Sequence, residues 1–182
     1  MNRSITRQHI WEAFYALSKT VPFEKMTVEQ IIRQSGVSRA TFYRHFHDKY
    51  DVMNYNVSAV TDRLTGGRAS HDWREFLLFL CQEFARDREY YRRAFKTYGQ
   101  NAHSRFLFEY SFGFVKAKYL SAHGREALDR EEHYRIAHYC HGCVDCLEDW
   151  LRDPEPMDPS ALAELFYAIM PRQLQDTWKP AK

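Results

Sequence analysis

Apolar residues recur along this chain at spacings of three and four, the period of a helix buried on one face. Ile10, Ala13, Phe14 and Leu17 mark the first such stripe, in a helix expected from Thr6 to about Ser18, with Trp11 in the core or at a domain junction. Pro22 and Phe23 mark the connection that follows. Thr27 then opens a capping box with Gln30, in which the hydroxyl accepts from one backbone N–H and the amide side chain reaches back to another. Val28, Ile31 and Ile32 give that second helix its apolar stripe, and Gly36 stops it, because glycine accepts the left-handed conformation of a helix C-terminus. Val37 plugs the corner. Ser38 caps a third helix, with Thr41 three residues on, in which Phe42 and Phe46 face one side and Arg39, Ala40, Tyr43 and Arg44 face others.

The pattern continues as helices to the end. Asp48 is the expected cap of a bridging helix running to about Arg63, and Leu64 to Arg68, with two glycines, breaks it. Asp72 caps a helix with Trp73, Phe76, Leu77, Leu80 and Phe84 on its stripe, widened by Leu78, Phe79 and Cys81; a helix apolar on most sides is buried on most sides. A short, half-exposed helix is expected within Arg86 to Tyr98, a break at Gly99 to Asn101, and a long helix to about Ala122, ended by His123 and Gly124. Glu126 to Arg152 follows, with Ile136, Cys140, Cys143, Leu147 and Trp150 spaced like the seam along which two helices pack nearly parallel or antiparallel. Pro154 and Pro156 end it. Asp158 and Pro159 start the last helix, whose stripe is Leu162, Leu165, Phe166 and Ile169, and Pro171 limits it. The fold class is therefore all-α.

A helix, a tight turn with glycine and a second helix make a helix-turn-helix. In such units the N-terminal residues of the second helix meet base edges in the major groove. Here those residues are Ser38, Arg39, Ala40 and Thr41. Arg39 can pair with guanine, Thr41 can bond a base or touch a thymine methyl, and Ala40 permits close approach. Thr27, Tyr43, Arg44, His45 and Lys49 are the expected phosphate contacts. The same pattern also fits a plain helical hairpin with solvated charges.

The stretch GVSRATFYRHFHDKYDV resembles the signature of the TetR family of transcriptional regulators, with Gly36, Val37, Ser38, Thr41, Tyr43, His45, Phe46 and Lys49 matching it. The preceding TVEQIIRQS is similar to that family's second helix, so the likeness covers roughly the first 55 residues. Beyond them the resemblance is one of architecture, and the C-terminal part is similar to regulators near the dihydroxyacetone-kinase activator. The resemblance implies a DNA-binding domain over residues 1–50, with the bridging helix starting at 48, and an effector-binding and dimerisation domain over 51–182. It implies double-stranded DNA, a second copy of the chain and a small-molecule effector as partners. It also implies that Ile136, Cys140, Cys143, Leu147, Trp150, Leu162, Leu165, Phe166 and Ile169 form a dimeric four-helix interface; burial of both stripes inside one chain is the alternative.

Charge sharpens this. The first 50 residues hold eight Lys/Arg and four Asp/Glu, leaving 18 and 20 to the rest, so the basic excess sits with the expected reader, as phosphate binding requires. No apolar run approaches a membrane span and no apolar signal segment opens the chain, which points to a cytoplasmic protein. Cys81, Cys140, Cys143 and Cys146 are expected as reduced thiols. His138 to Cys146 invites a metal or thiol-switch reading, but two of its cysteines fall on the apolar seam and a closed zinc site draws ligands from two segments. No metal or cofactor is expected.

The aromatic content of 16% is high, and a sizeable core is expected. Phe76, Leu80, Phe84, Tyr90, Phe95, Phe106, Tyr110 and Phe114 are the candidate lining of an effector pocket, and a solid core of the same residues is the alternative. No Gly-rich phosphate loop, HExxH or triad spacing singles out an enzyme. The expectation is a ligand-responsive repressor acting as a homodimer on a palindromic operator. A co-activator governed by a protein partner, a metal- or thiol-responsive regulator, and an enzyme with a vestigial reader stand beside it.

Overall fold

Local signals set most helix boundaries in the computed structural model, which describes residues 3–65, 72–99 and 102–178. Ten α-helices and no strand occur among those residues. The expected breaks at Gly66–Arg68 and at Gln100–Asn101 lie outside them.

The first three helices are α1 (Arg3–Ser18), α2 (Val28–Ser35) and α3 (Arg39–His45). They close around Ile10, Phe14, Phe23, Met26, Ile31, Phe42 and Phe46, all buried. The Thr27–Gln30 capping box forms in both directions, at 3.2 and 2.8 Å. Gly36 closes α2 at φ 65°, a left-handed backbone that an L side chain adopts only with strain. Ser38 Oγ caps α3 by accepting from Thr41 N at 3.1 Å.

The bridging helix α4 (Lys49–Thr65) starts where Asp48 Oδ1 accepts from the N–H groups of Tyr50 and Asp51, both at 2.8 Å. The body follows as α5 (Trp73–Arg86), α6 (Arg88–Ala94), α7 (His103–His123), α8 (Arg130–Arg152), α9 (Pro159–Ile169) and the single turn α10 (Arg172–Gln175). Asp72 caps α5 through Glu75 N at 2.9 Å, and Asp158 caps α9 through Ser160 N at 2.8 Å. Helix α8 begins at Arg130 rather than Glu126, because Asp129 and Glu132 form a capping box there. Helix α6 is confined to Arg88–Ala94, shorter than the expected segment.

The seam on α8 and the stripe on α9 fold inward. Ile136, Cys140, Leu147, Trp150, Leu162 and Phe166 are all buried within a single chain. They are core, which corrects the expectation of a dimer face built from them. The partners are intramolecular: α7 packs on α8 and α5 on α9. A period fixes a stripe, not the element that covers it. From the expected interface, Leu165 and Ile169 stay open, at 44% and 53% exposure, and Cys143 is half-buried. Among the described residues no helix is long and apolar enough to cross a membrane.

Candidate nucleic-acid interface and the cavity behind it

The base-contact candidates share one exposed end. Ser38, Arg39 and Ala40 are exposed and Thr41 is half-exposed, at the N-terminal turn of α3. Phe42 and Phe46 anchor the opposite side of that helix and its C-cap in the core. Arg39 reaches Glu29 of α2 at 2.9 Å and lies 5.4 Å from the Tyr43 ring centroid. Both partners of that ion pair are more than 60% exposed, so exchanging Glu29 for a guanine edge costs little. His9 Nε2 donates to Ser35 O at 2.7 Å, which ties α1 to the turn.

Of the phosphate candidates, Thr27, Tyr43 and Arg44 are exposed and His45 is half-buried. Lys49 differs from expectation. Its Nζ donates to the carbonyl oxygens of Phe23, Glu24 and Met26, at 2.8, 2.9 and 2.9 Å. An ammonium has three protons, and all three are committed. Lys49 is thus a strap from the first turn of α4 to the loop before α2, and the geometry does not offer it to a phosphate.

Helix α6 and its cap join the reader to the body. Tyr15 Oη donates to Asp87 Oδ1 at 2.5 Å, and that bond holds the Tyr15 hydroxyl above its ordinary pKa. Arg93 donates to Ser18 O at the end of α1. Tyr90 Oη donates to Met53 O, and Asn56 Nδ2 to Tyr91 Oη, both at 2.8 Å, so the same short helix also grips α4. On its other side Arg88 donates to the carbonyls of Trp150, Leu151 and Asp153 at the C-terminus of α8. Sequence reasoning did not find this joint, since a tyrosine's partner across 72 positions leaves no periodic signal.

The body holds a cavity of about 120 Å³ between α4, α5, α7, α8 and α9. Phe76, Leu80, Phe84, Tyr110 and Phe114 line it as expected of a pocket. Tyr90, Phe95 and Phe106 do not. Tyr90 belongs to the joint, Phe95 packs edge-on against His103 at 5.2 Å, and Phe106 stacks outside on Tyr110 at 5.8 Å. Val57 and Thr61 of α4, Trp73 and Cys81 of α5, and Val144 of α8 also line it and were missed. The available signals were the α5 stripe, which carries Trp73 and Cys81 beside Phe76, and the spacing of four that puts Val57 and Thr61 on one side of α4.

The cysteine cluster divides. Cys81, Cys140 and Cys143 face the cavity, and Cys146 is exposed. Burial pushes the first three thiols up, to about 12, 11 and 12 respectively. Among the described residues no three His, Cys, Asp or Glu side chains are grouped to hold a metal ion.

Comparison with known proteins places these features. A profile of a transcriptional-regulator C-terminal region, in the TetR series, matches residues 71–172, more than half of the chain. A profile of bacterial regulatory proteins of the tetR family matches residues 12–55. No curated protein sequence matches. Among solved structures, one similar chain is a dihydroxyacetone kinase operon activator, DhaS, with TM-score 0.66, 13% identity, and 96% of this chain and 98% of that one covered. Another is a TetR transcriptional regulator from Streptococcus agalactiae 2603V, with TM-score 0.59, 18% identity, and 93% and 96% covered. At these identities the likeness speaks for the fold.

Proposed function

The chain belongs to the TetR family of bacterial transcriptional regulators, and from that premise we propose that it is a homodimeric repressor released from a palindromic operator by a small ligand in the body. The single observation that carries the DNA-reading half is the geometry of α3. Its polar N-terminal turn, Ser38 to Thr41, stands clear of the protein while Phe42 and Phe46 fix the helix from behind. Arg39 and Thr41 read base edges, and Tyr43, Arg44 and Thr27 meet phosphates. A reader of this kind works on chromosomal DNA, hence in the cytoplasm.

The dimer forms through the outward faces of α8 and α9. Tyr134, Leu165 and Ile169 are 61%, 44% and 53% exposed there. The two helices are linked by Tyr139 Oη donating to Phe166 O at 3.1 Å. The pair of readers then meets successive major-groove faces about 34 Å apart. Effector binding acts through α4, which lines the cavity with Val57 and Thr61 and is strapped to the reader by Lys49.

Selection of bound fragments from a genomic library tests this directly. The expected outcome is a two-fold symmetric site bound by two chains. Enrichment of asymmetric sites, or of none, would overturn the reading.

A further inference from the structure

The cavity wall is chemically one-sided. Among the described residues no charged side chain lines it. Phe76 and Phe114 stack with ring centroids 4.8 Å apart, and Trp73 meets Phe114 edge-on at 6.0 Å, so one wall is a continuous aromatic surface. The hydroxyls that reach the wall are spent on the protein. Thr61 Oγ1 donates to Val57 O at 3.0 Å, Ser111 Oγ to Phe108 O at 3.1 Å, and Tyr139 Oη to Phe166 O at 3.1 Å. Tyr110 Oη, the remaining hydroxyl on the wall, pairs with Thr61, and the lone pairs left on these oxygens let a guest donate a hydrogen bond. A guest carrying a carboxylate or an ammonium would bury a charge without a counter-charge, which is strongly unfavourable.

Size narrows the guest further. A dry, hydrocarbon-lined cavity of about 150 Å³ takes benzene, whereas drug-sized ligands occupy roughly 300 Å³ or more. At about 120 Å³ this cavity holds one ring with small substituents. The thiols do not make it a reactive site. Burial keeps all three protonated at neutral pH, and the thiol is not the nucleophilic form. Their polarisable sulfur instead favours contact with an aromatic edge.

We infer that the cavity binds a small, uncharged, single-ring aromatic molecule, non-covalently, and that this is the chemical class of the effector. The inference rests on the effector reading above, and the test separates the two. The unaltered chain is titrated with toluene, phenol, benzoate and benzylammonium, with thermal melting and ligand-observed NMR as readouts, and each compound is then added to the chain on its selected operator. Toluene and phenol should bind and raise the melting temperature by about 3–5 °C at tenfold their Kd, with benzoate and benzylammonium inert. Val144→Phe, which fills the cavity, should abolish the toluene shift; if that variant does not fold, the ligand series alone decides. Benzoate or benzylammonium binding as tightly as toluene, or no shift with saturating toluene, would overturn the inference. Toluene binding with operator affinity unchanged would uphold the ligand class and remove the effector reading. Release by another compound while toluene fails to bind would do the reverse.

Discussion

The reader and the body place their working surfaces on opposite sides of their own cores. In the reader the interior is shut around Phe14, Phe42 and Phe46, and the polar turn of α3 faces outward. In the body, the α8 seam turns inward with Leu162 and Phe166 of α9, and the space they leave is a cavity lined mostly by carbon and sulfur. DNA is a large, charged, invariant partner, so its receptor must be exposed, polar and stereotyped. A small apolar guest is bound by absence of packing. The joint between the regions is polar: Tyr15 on Asp87, Arg93 on Ser18 O, and Lys49 on three carbonyls.

The largest effect tests whether the body holds two readers at a fixed distance. Leu165→Glu with Ile169→Glu puts two charges on the exposed side of α9. Sedimentation should show a single chain, and operator affinity should fall on the order of 100-fold or more, the loss expected when a linked second half-site is given up. A monomer that keeps full operator affinity would break the comparison, since the body would then contribute nothing to reading. Next comes the division of labour on α3. Arg39→Ala should cost about 1–3 kcal/mol on the preferred operator and flatten preference at one base position. Arg44→Ala should weaken all sequences alike and lower the salt slope by about one. Equal losses from both across a panel of mutated operators would show that the α3 turn is not the specificity element.

Lys49 sharpens the boundary between the regions. Lys49→Met removes three hydrogen bonds from an ammonium to carbonyls that tie α4 to the reader. Urea unfolding should show a loss of about 1–2 kcal/mol, discounted for partial exposure. Because its protons are already committed, the salt slope of DNA binding should stay that of the parent chain, unlike Arg44→Ala. A slope reduced by about one would return Lys49 to the phosphate contacts.

The contrast between regions also explains what could be read from residues alone. Thr27 with Gln30, Gly36, Asp72 and Asp158 act within four residues of themselves, and the structure has each cap where the spacing put it. Asp129 with Glu132 carried the same signal and was overlooked, which set α8 four residues early. The α8 seam was a true stripe, but its covering partner is α7, a choice made by the whole body. Cavity walls depend on what side chains fail to fill, so Phe76 and Phe114 were legible as aromatic core while Phe95 and Phe106 were not separable from them. Lys49 is a strap only because three carbonyls converge on it from the loop before α2.

The smallest predicted effect lies where the bridging helix meets the body. His103, fully buried at the start of α7, donates from Nδ1 to Asn54 Oδ1 of α4 at 2.8 Å. Its Nε2 has no hydrogen-bond partner among the described residues, so a second proton would place an unpaired charge in the core. Burial accordingly lowers the His103 pKa from 6.5 to about 3. The unfolded chain therefore binds a proton that the folded chain refuses. Stability from this contact is complete above pH 6.5 and is lost progressively as pH falls towards 3. Between pH 7 and pH 5.5 the loss should be roughly 1 kcal/mol, read as a melting temperature that falls over that interval. His103→Gln keeps a donor for Asn54 without the titration, so its melting temperature should be flatter over the same interval. Asn54 lies one turn before Val57 on the cavity wall, and a parent chain as flat as the variant would show that this contact does not bind α4 to the body.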